Sequence, residues 1–407
     1  MAENQTSQVQ HPLIREGLMP QEEKLDTAVR RQRLVIGIPC EPDKDESRVP
    51  LTPEAVEILV GRGHEILVEQ NAGRSANYSD TDYSERGAYI LTSHEQVLRA
   101  DIVLKVAPLN KDDIQLLKGK QTILSSLHLQ SQQQEYIAGL LQKKVTAIAF
   151  ENIKDEHDTY PVVNSMSSIA GITAIHIAAE LLSTAHGGKG VMLGGIPGIS
   201  PTEVVILGSG TVAEYATRAA IGLGALVKVF DNSVHRLRRL QTNVGFPVYT
   251  SIFHPNVLEK SLRSADVVIG ALHIQENKPR FLITEDMVKT MKRGSVIIDV
   301  SIDQGGCIET SECRPLSDPV YVKHNVIHYS VPNLPSRVAR TASIALSNVF
   351  LPLLLEIGET GSIEKAIKFN TGFRNGVYIF NGILTSKTIA DLFSLPFQDI
   401  NLLMAAF

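Results

Sequence analysis

Arg48, Lys105, His128 and Asp303 each sit at a turn or at the end of a short apolar run, and their side chains form a set with a definite chemistry. Arg48 follows the turn-like Asp43-Lys44-Asp45-Glu46-Ser47 and precedes a helix start at Pro50, where its planar fork matches a carboxylate through two parallel hydrogen bonds. Lys105 ends Ile102-Val103-Leu104 and would help hold that carboxylate or polarise a developing oxygen. His128, after Ile123-Leu124-Ser125-Ser126-Leu127, can exchange protons with a hydroxyl or carbinolamine near neutral pH. Asp303, ahead of Gly305-Gly306, would orient water, stabilise a cation or assist proton transfer. Each also has a plain structural reading: a surface arginine, a salt-bridged lysine, a hydrogen-bonded core histidine, a turn-capping aspartate. Residue types alone leave a 2-amino acid, a 2-hydroxy acid and another carbonyl compound open as substrate.

A second signal supplies the redox partner. The run Val204-Val205-Ile206-Leu207-Gly208-Ser209-Gly210-Thr211-Val212-Ala213 joins a buried strand to a helix in GxGxxA form. Gly208 permits the tight turn, Gly210 clears space for a pyrophosphate, and Ala213 lets the helix pack closely. The helix start can cradle phosphates through its free N–H groups. Asp231 ends the next strand 23 positions after Gly208, where a carboxylate accepts from both ribose hydroxyls and repels a 2′-phosphate. NAD is therefore expected over NADP, although Arg236 nearby weakens that exclusion. Hydride transfer to such a cofactor needs few side chains beyond those that hold the donor carbon and manage protons. Leu272, His273 and the stretch Val300-Ser301-Ile302-Asp303 fall at later strand ends, which open toward the ligand crevice in this architecture. Asp299 reads as a structural neighbour.

The elements that must position these groups form two α/β series. From Leu34, apolar runs LVIGI, EILVEQ, DIVLKV, QTILSSLHL and VTAIAF alternate with helix-length segments, the pattern of a parallel sheet covered by helices. A broadly apolar helix is expected from Ser168 to Ser183, then a glycine-rich loop or short hairpin through Gly198. A second series starts at Thr202 with VVIL, LVKVF, VVIGA, VIIDV and NVIHYSV. Helical patterns return over 338–370, with further short helices toward the C-terminus. The expected fold is α/β with two Rossmann-like domains, the nucleotide domain a doubly wound parallel sheet, joined by long helices around a cleft. The expected division is an N-terminal extension (1–33), a discontinuous substrate domain (34–165 and 336–407), a connecting helix and glycine loop (166–201), and a dinucleotide domain (202–335).

Composition narrows the field. With 407 residues, 43% hydrophobic and 20% charged, the chain is long enough for two or three domains and is not disordered over most of its length. A net charge of -5 offers no general attraction to nucleic acid or an anionic membrane. Three cysteines without a CxxC pair argue against a disulfide framework or structural zinc and fit a reducing cytoplasm. The polar first 33 residues lack signal-peptide organisation, and the strongest apolar run, Val349 to Leu355, contains Pro352 and reads as a buried helix segment.

Taken together, the motifs ESRVPLTPE, DIVLKV, LSSLHL, MSSIAG, GGIPG, GSGTVAEYA, SIDQGG and VPNLP, in this order over about residues 34 to 385, closely resemble the alanine dehydrogenase and NAD(P) transhydrogenase alpha-subunit family. The resemblance implies reversible, NAD-dependent oxidative deamination of L-alanine to pyruvate and ammonia, without a metal. It implies Arg48 and Lys105 as substrate-carboxylate residues, His128 as the main acid/base and Asp303 as a second catalytic carboxylate. It further implies that Ser167, Gly208, Gly210, Thr211, Val212, Ala213, Asp231, Arg236, Leu272, Val300 to Asp303 (Val300, Ser301, Ile302, Asp303) and Val331, Pro332, Asn333 and Leu334 enclose the dinucleotide. A homo-oligomer, specifically a hexamer, is the implied assembly. Departures from the family pattern are Ser126 in place of an aromatic, Ser168 in place of an acid, Gln275-Glu276 in place of Pro-Gly, and Glu312 in place of an arginine, with Arg314 close by. The alternatives are a transhydrogenase alpha-like subunit and a non-catalytic NAD-binding regulator; in the latter the four polar residues would not share a cleft.

Overall fold

A computed structural model describes residues 33–41, 46–272 and 282–406. The Asp43 to Asp45 turn, His273 and Gln275-Glu276 lie outside the described residues, as does the N-terminal extension before Arg33.

The first α/β series forms β1 (Val35–Ile38), β2 (Glu65–Glu69), β3 (Tyr89–Leu91), β4 (Ile102–Leu104), β5 (Thr122–Ser125) and β6 (Thr146–Ala149). The second forms β7 (Glu203–Leu207), β8 (Leu226–Phe230), β9 (Tyr249–Ser251), β10 (Val267–Gly270), β11 (Val296–Asp299), β12 (Val320–Lys323) and β13 (Val326–Tyr329); β14 (Val377–Phe380) and β15 (Ile383–Leu384) follow near the C-terminus. The strands lie in two sheets, ordered β15-β14-β6-β5-β4-β1-β2-β3 and β12-β13-β11-β10-β7-β8-β9. All pairings are parallel except those of β14 with β6, β14 with β15 and β12 with β13.

Each sheet has its first strand in the middle: β1 lies between β2 and β4, and β7 between β8 and β10. The strand order reverses there, so the loops leaving neighbouring strands part to opposite faces and a crevice opens beyond the carboxyl ends. Continuous apolar strands suit sheets covered on both faces. Thus Val204 and Ile206 of β7 enter one core cluster, while Val205 and Leu207 enter another across the sheet. In β4, Ile102 and Leu104 face one core and Val103 the opposite one.

The connecting helix spans Pro161–Leu181. It begins seven residues before the expected start because Pro161 occupies its first turn, where a missing N–H costs no hydrogen bond. The expected boundary at 165 therefore falls inside a helix. The glycine loop that follows contains the short antiparallel bridge Ile196 with Ile199. The later helix Ala339–Thr360 runs through Pro352 and contacts both the connecting helix and Pro53–Gly61. By length and composition two helical stretches, Pro161–Leu181 and Leu334–Thr360, would be long and apolar enough to cross a bilayer, yet here they pack on each other.

The C-terminal region departs from the helical expectation where Val377–Phe380 becomes a fully buried strand and joins the first sheet beside β6. The chain thus returns to its first sheet after completing the second.

The connecting helix packs closely on Thr211–Gly222, the helix that carries the glycine fingerprint. Gly171 makes this possible: a Cβ there would come within 2.4 Å of the Val212 carbonyl oxygen. Alanine at 171 would gain helix propensity but force the two backbones apart. Gly171→Ala is expected to lower stability by about 1–3 kcal/mol, the usual cost of overpacking, measured by urea denaturation. An unchanged or higher midpoint would show that this helix contact is compliant.

Candidate active site

The polar groups gather at the carboxyl ends of both sheets. Arg48 lies in the loop after β1, Lys105 directly follows β4, and His128 lies just beyond β5. From the other sheet, Gly208 follows β7, Asp231 follows β8, and Asp303 sits in the 3-10 turn Val300–Gln304 after β11.

Arg48 is buried, and its orientation is fixed by Glu46. Nε donates to Glu46 Oε1 at 2.8 Å and Nη2 to Oε2 at 2.6 Å, a bidentate pair. Burial works against the Arg48 charge, but Glu46 more than offsets it and holds the guanidinium above its ordinary pKa. Burial likewise works against the Glu46 carboxylate, and Arg48 outweighs it, so that carboxyl is held below its usual range. Nη1 approaches Met166 Sδ at 3.3 Å, which brings the connecting-helix turn containing Met166 and Ser167 to the border of the same space.

Lys105 is enclosed at the end of β4 and already paired. Its side chain has no exposure, and Nζ donates to Glu41 Oε2 at 2.9 Å. Glu41 also accepts from the Val106 and Ala107 N–H groups, which pins the chain just after β4. Burial raises the Glu41 carboxyl, with Lys105 opposing the rise. The salt-bridged reading of this lysine is therefore the observed one.

His128 is exposed and adopts a left-handed backbone, φ 47° and ψ 53°. A residue other than glycine in this region carries strain unless its surroundings hold it. Glu151 does so from the end of β6: its Oε1 accepts from Leu127 N at 2.8 Å and from His128 N at 3.4 Å. The Ser131 hydroxyl donates to the His128 carbonyl at 2.9 Å.

Asp303 joins the two lobes. The residue is solvent-exposed, yet burial around its carboxyl raises its pKa, while the Asn333 N–H, His128 and Arg48 pull it back down. The last two lie in the other lobe, so all three side chains share one electrostatic neighbourhood. Asp303 Oδ1 accepts the Asn333 N–H at 3.1 Å. Asp299, fully buried, accepts from the Ser301 and Cys307 N–H groups and so anchors the turn that aims Asp303.

The glycine fingerprint has the geometry its turn requires. Gly208 has φ +106°, and a Cβ there would meet the Ala271 carbonyl oxygen at 2.3 Å, so the turn requires glycine. A Cβ on Gly210 would meet nothing within 4 Å, leaving open space over the start of Thr211–Gly222. Thr211 and Val212 open that helix, and Ala213 is buried against the sheet. Asp231 is 2% exposed and already has four donors: Ser209 N and Oγ on Oδ2, Ser233 N and Arg236 Nη2 on Oδ1. Of these, Arg236 is the partner on the solvent side. Leu272 N donates to the Ser301 hydroxyl, which ties the loop after β10 to Val300–Gln304. Val331 and Leu334 are buried in the core beneath this stretch, with Pro332 and Asn333 between them.

The family model described as "Alanine dehydrogenase/PNT, N-terminal domain" matches residues 37–170, and "Alanine dehydrogenase/PNT, C-terminal domain" matches 174–387. The chain belongs to the alanine dehydrogenase/PNT family.

Relatives in this family include an alanine dehydrogenase of Staphylococcus saprophyticus, 38% identical over 90% of this chain and 99% of its own. Alanine dehydrogenase 2 of Staphylococcus aureus is 38% identical over 90% of this chain and 98% of its own. A solved L-alanine dehydrogenase superposes with TM-score 0.83 at 35% identity, covering 89% of this chain and 99% of that one. A transhydrogenase from Sinorhizobium meliloti, with TM-score 0.74 and 22% identity over 87% of this chain and 99% of that one, shares the fold.

The family departures have local explanations. Ser126 is buried and donates to the Val106 carbonyl at 2.7 Å, and Ser168 donates back to Asn164 O within its helix. Arg314 pairs with Glu312 and Asp318. Sequence reasoning singled out Arg48, Lys105, His128 and Asp303 but missed the acids that hold three of them, Glu41, Glu46 and Glu151. The signal available was an acid two or three positions beyond a strand end or two before a candidate cation, at Glu41 three residues past β1, Glu46 two before Arg48 and Glu151 two past β6.

Because folding raises the Asp303 pKa, the folded protein disfavours its ionised form. Its contribution is most favourable below the unfolded carboxyl pKa and is lost as pH rises through the folded value. Asp303→Asn keeps an acceptor for the Asn333 N–H and removes the charge. Its melting temperature should exceed that of the wild type at neutral pH, with the gap closing as pH falls through the carboxylate range. A variant less stable than wild type at neutral pH would contradict this reading of the site.

Proposed function

We infer that the protein catalyses reversible, NAD-dependent oxidative deamination of L-alanine to pyruvate and ammonia. The observation that carries this reading is the hydrogen-bonded link from Arg48 through Glu46 and Asn333 to Asp303, which ties the substrate-side arginine to the acid that follows the other sheet. Family membership along nearly the whole chain supports the same reaction.

Bound NAD supplies the acceptor for the hydride that leaves Cα. Arg48, with its plane fixed by Glu46, receives the substrate carboxylate, and Lys105 contributes a buried positive charge paired to Glu41. Loss of hydride from Cα leaves an imine, and water attacks it. His128 takes a proton from that water, gives it to the carbinolamine nitrogen, and then takes the hydroxyl proton as the C–N bond breaks to release pyruvate and ammonia. Asp303 stabilises the cationic imine and the protonated His128. In the reductive direction the same groups act in reverse order.

For the cofactor, the Gly208 turn and the open start of Thr211–Gly222 would hold the pyrophosphate, and Asp231 would accept the ribose hydroxyls as Arg236 swings toward solvent. The stretches at Ser167, Leu272, Val300 to Asp303 and Val331 to Leu334 would enclose the nicotinamide half. The two lobes of this reading are 34–165 with 336–407, and 202–335; the return of β14 and β15 to the first sheet supports the discontinuous one. A homo-oligomer, with a hexamer as the expected form, is supported by exposed apolar residues such as Ile172 and Ile344 on the two long helices. The three free cysteines support a reducing, cytoplasmic setting.

Reduction of NAD with L-alanine, glycine, L-serine and lactate tests the reading, with L-alanine expected to turn over fastest and pyruvate plus ammonia to reverse it. Lactate turning over as fast as L-alanine would overturn it. His128→Ala should lower kcat by about 100-fold or more while leaving NADH binding unchanged. Retained turnover would remove His128 from the proton route.

A further inference from the structure

Glu46 occupies a position that the reaction itself does not require. It lies in the first lobe, its side chain is only 5% exposed, and five donors converge on its two oxygens. Oε1 accepts from Arg48 N at 3.0 Å, Arg48 Nε at 2.8 Å and the Ser336 hydroxyl at 3.3 Å. Oε2 accepts from Arg48 Nη2 at 2.6 Å and from Asn333 Nδ2 at 2.8 Å. Ser336 in turn accepts the Ser47 N–H at 2.7 Å.

Asn333 and Ser336 belong to the segment where the chain leaves the second sheet, and the backbone N–H of Asn333 is the one that holds Asp303. Asn333 has a left-handed backbone, φ 58° and ψ 48°, which turns its N–H to one partner and its side chain to another. An unbroken hydrogen-bonded chain therefore runs Arg48, Glu46, Asn333, Asp303 across the cleft. Every link is a charge-assisted bond, and such bonds carry geometric specificity as well as energy.

We propose that Glu46 is a positioning residue that sets Arg48 in register with Asp303 across the two lobes, so that a bound substrate carboxylate fixes Cα relative to the reacting face. This rests on the assignment of Arg48 to the substrate carboxylate. One edge of the Arg48 guanidinium, Nε with Nη2, is held by Glu46, so the Nη1 side, at Met166, is the one presented to a ligand. A buried carboxylate at Glu46 also balances the charge of Arg48, leaving the arginine ordered when no substrate is bound. Small errors in such placement are costly to catalysis, since misplacing a reacting group by about 1 Å can lower the rate on the order of 100-fold.

The test compares Glu46→Gln, Glu46→Asp and Arg48→Lys, alone and as the Glu46→Gln/Arg48→Lys pair, in reductive amination of pyruvate by full-length protein. Glu46→Gln is isosteric but loses the charge and turns an amide donor toward Arg48 or Asn333. It should raise KM for pyruvate about tenfold or more and lower kcat, with the dissociation constant of NADH, read by fluorescence, changed less than about twofold. Glu46→Asp should recover part of the loss. In the Arg48→Lys background the same Gln substitution should add little, because its route runs through the arginine. Multiplicative losses in the double variant, or equal weakening of NADH and pyruvate, would overturn the proposal in favour of a structural role. If Glu46→Gln does not fold, Glu46→Asp decides alone: normal KM with normal kcat overturns the register claim, and a raised KM with unchanged NADH binding upholds it. Failure of the underlying assignment looks different, since Arg48→Lys would then leave KM for pyruvate unchanged.

Discussion

Two parallel sheets must present their carboxyl edges to each other at a separation that one small substrate can bridge. Nearly every notable feature of the molecule serves that constraint. The strand order of each sheet opens a crevice at its middle strand, and the residues with chemistry leave from strands beside it. The apolar strands and their helices make each edge rigid. The helices Pro161–Leu181 and Ala339–Thr360, packed together, join the edges.

Charges within the cleft are arranged in pairs, each with a separate consequence. Glu46 orders Arg48, Glu41 sequesters Lys105, and Glu151 holds the strained backbone of His128 through its N–H groups. Asp303 is the exception: among the described residues no basic side chain bonds to it, and its carboxyl receives a backbone N–H alongside the fields of His128 and Arg48. A carboxylate left underpaired in this way can respond to positive charge that develops during reaction. The acids around it mainly preserve geometry: at Glu46 the arginine offsets the cost of burial, whereas at Glu41 burial outweighs the opposing pull of Lys105.

Much of this was legible in the sequence because buried parallel strands are written as continuous apolar runs and a dinucleotide turn requires glycine where a Cβ would collide. Gly208 meets that condition against the Ala271 carbonyl, and the placement of His128 and Asp303 just beyond strand ends followed from the same pattern. The strands β3 and β9 were harder to see because they are three-residue edge strands that begin with the exposed Tyr89 and Tyr249. β14 was hidden for another reason: Val377 to Phe380 looks like any short apolar segment, and only its return to β6 makes it a strand. The sequestration of Lys105 by Glu41 is likewise a tertiary fact, since 64 residues separate the pair. Asp231 shows the limit of a motif, which marks a carboxylate but not the four donors already around it.

The central claim is that both lobes act on one reacting carbon. A crystal structure of the ternary complex with NADH and pyruvate tests it most directly. The pyruvate carbonyl carbon should lie about 3–3.5 Å from the transferring nicotinamide carbon, with the carboxylate on Arg48 and with His128 and Asp303 on either side of the carbonyl. Pyruvate bound to the first lobe with the nicotinamide beyond van der Waals contact, in a closed complex, would contradict the account.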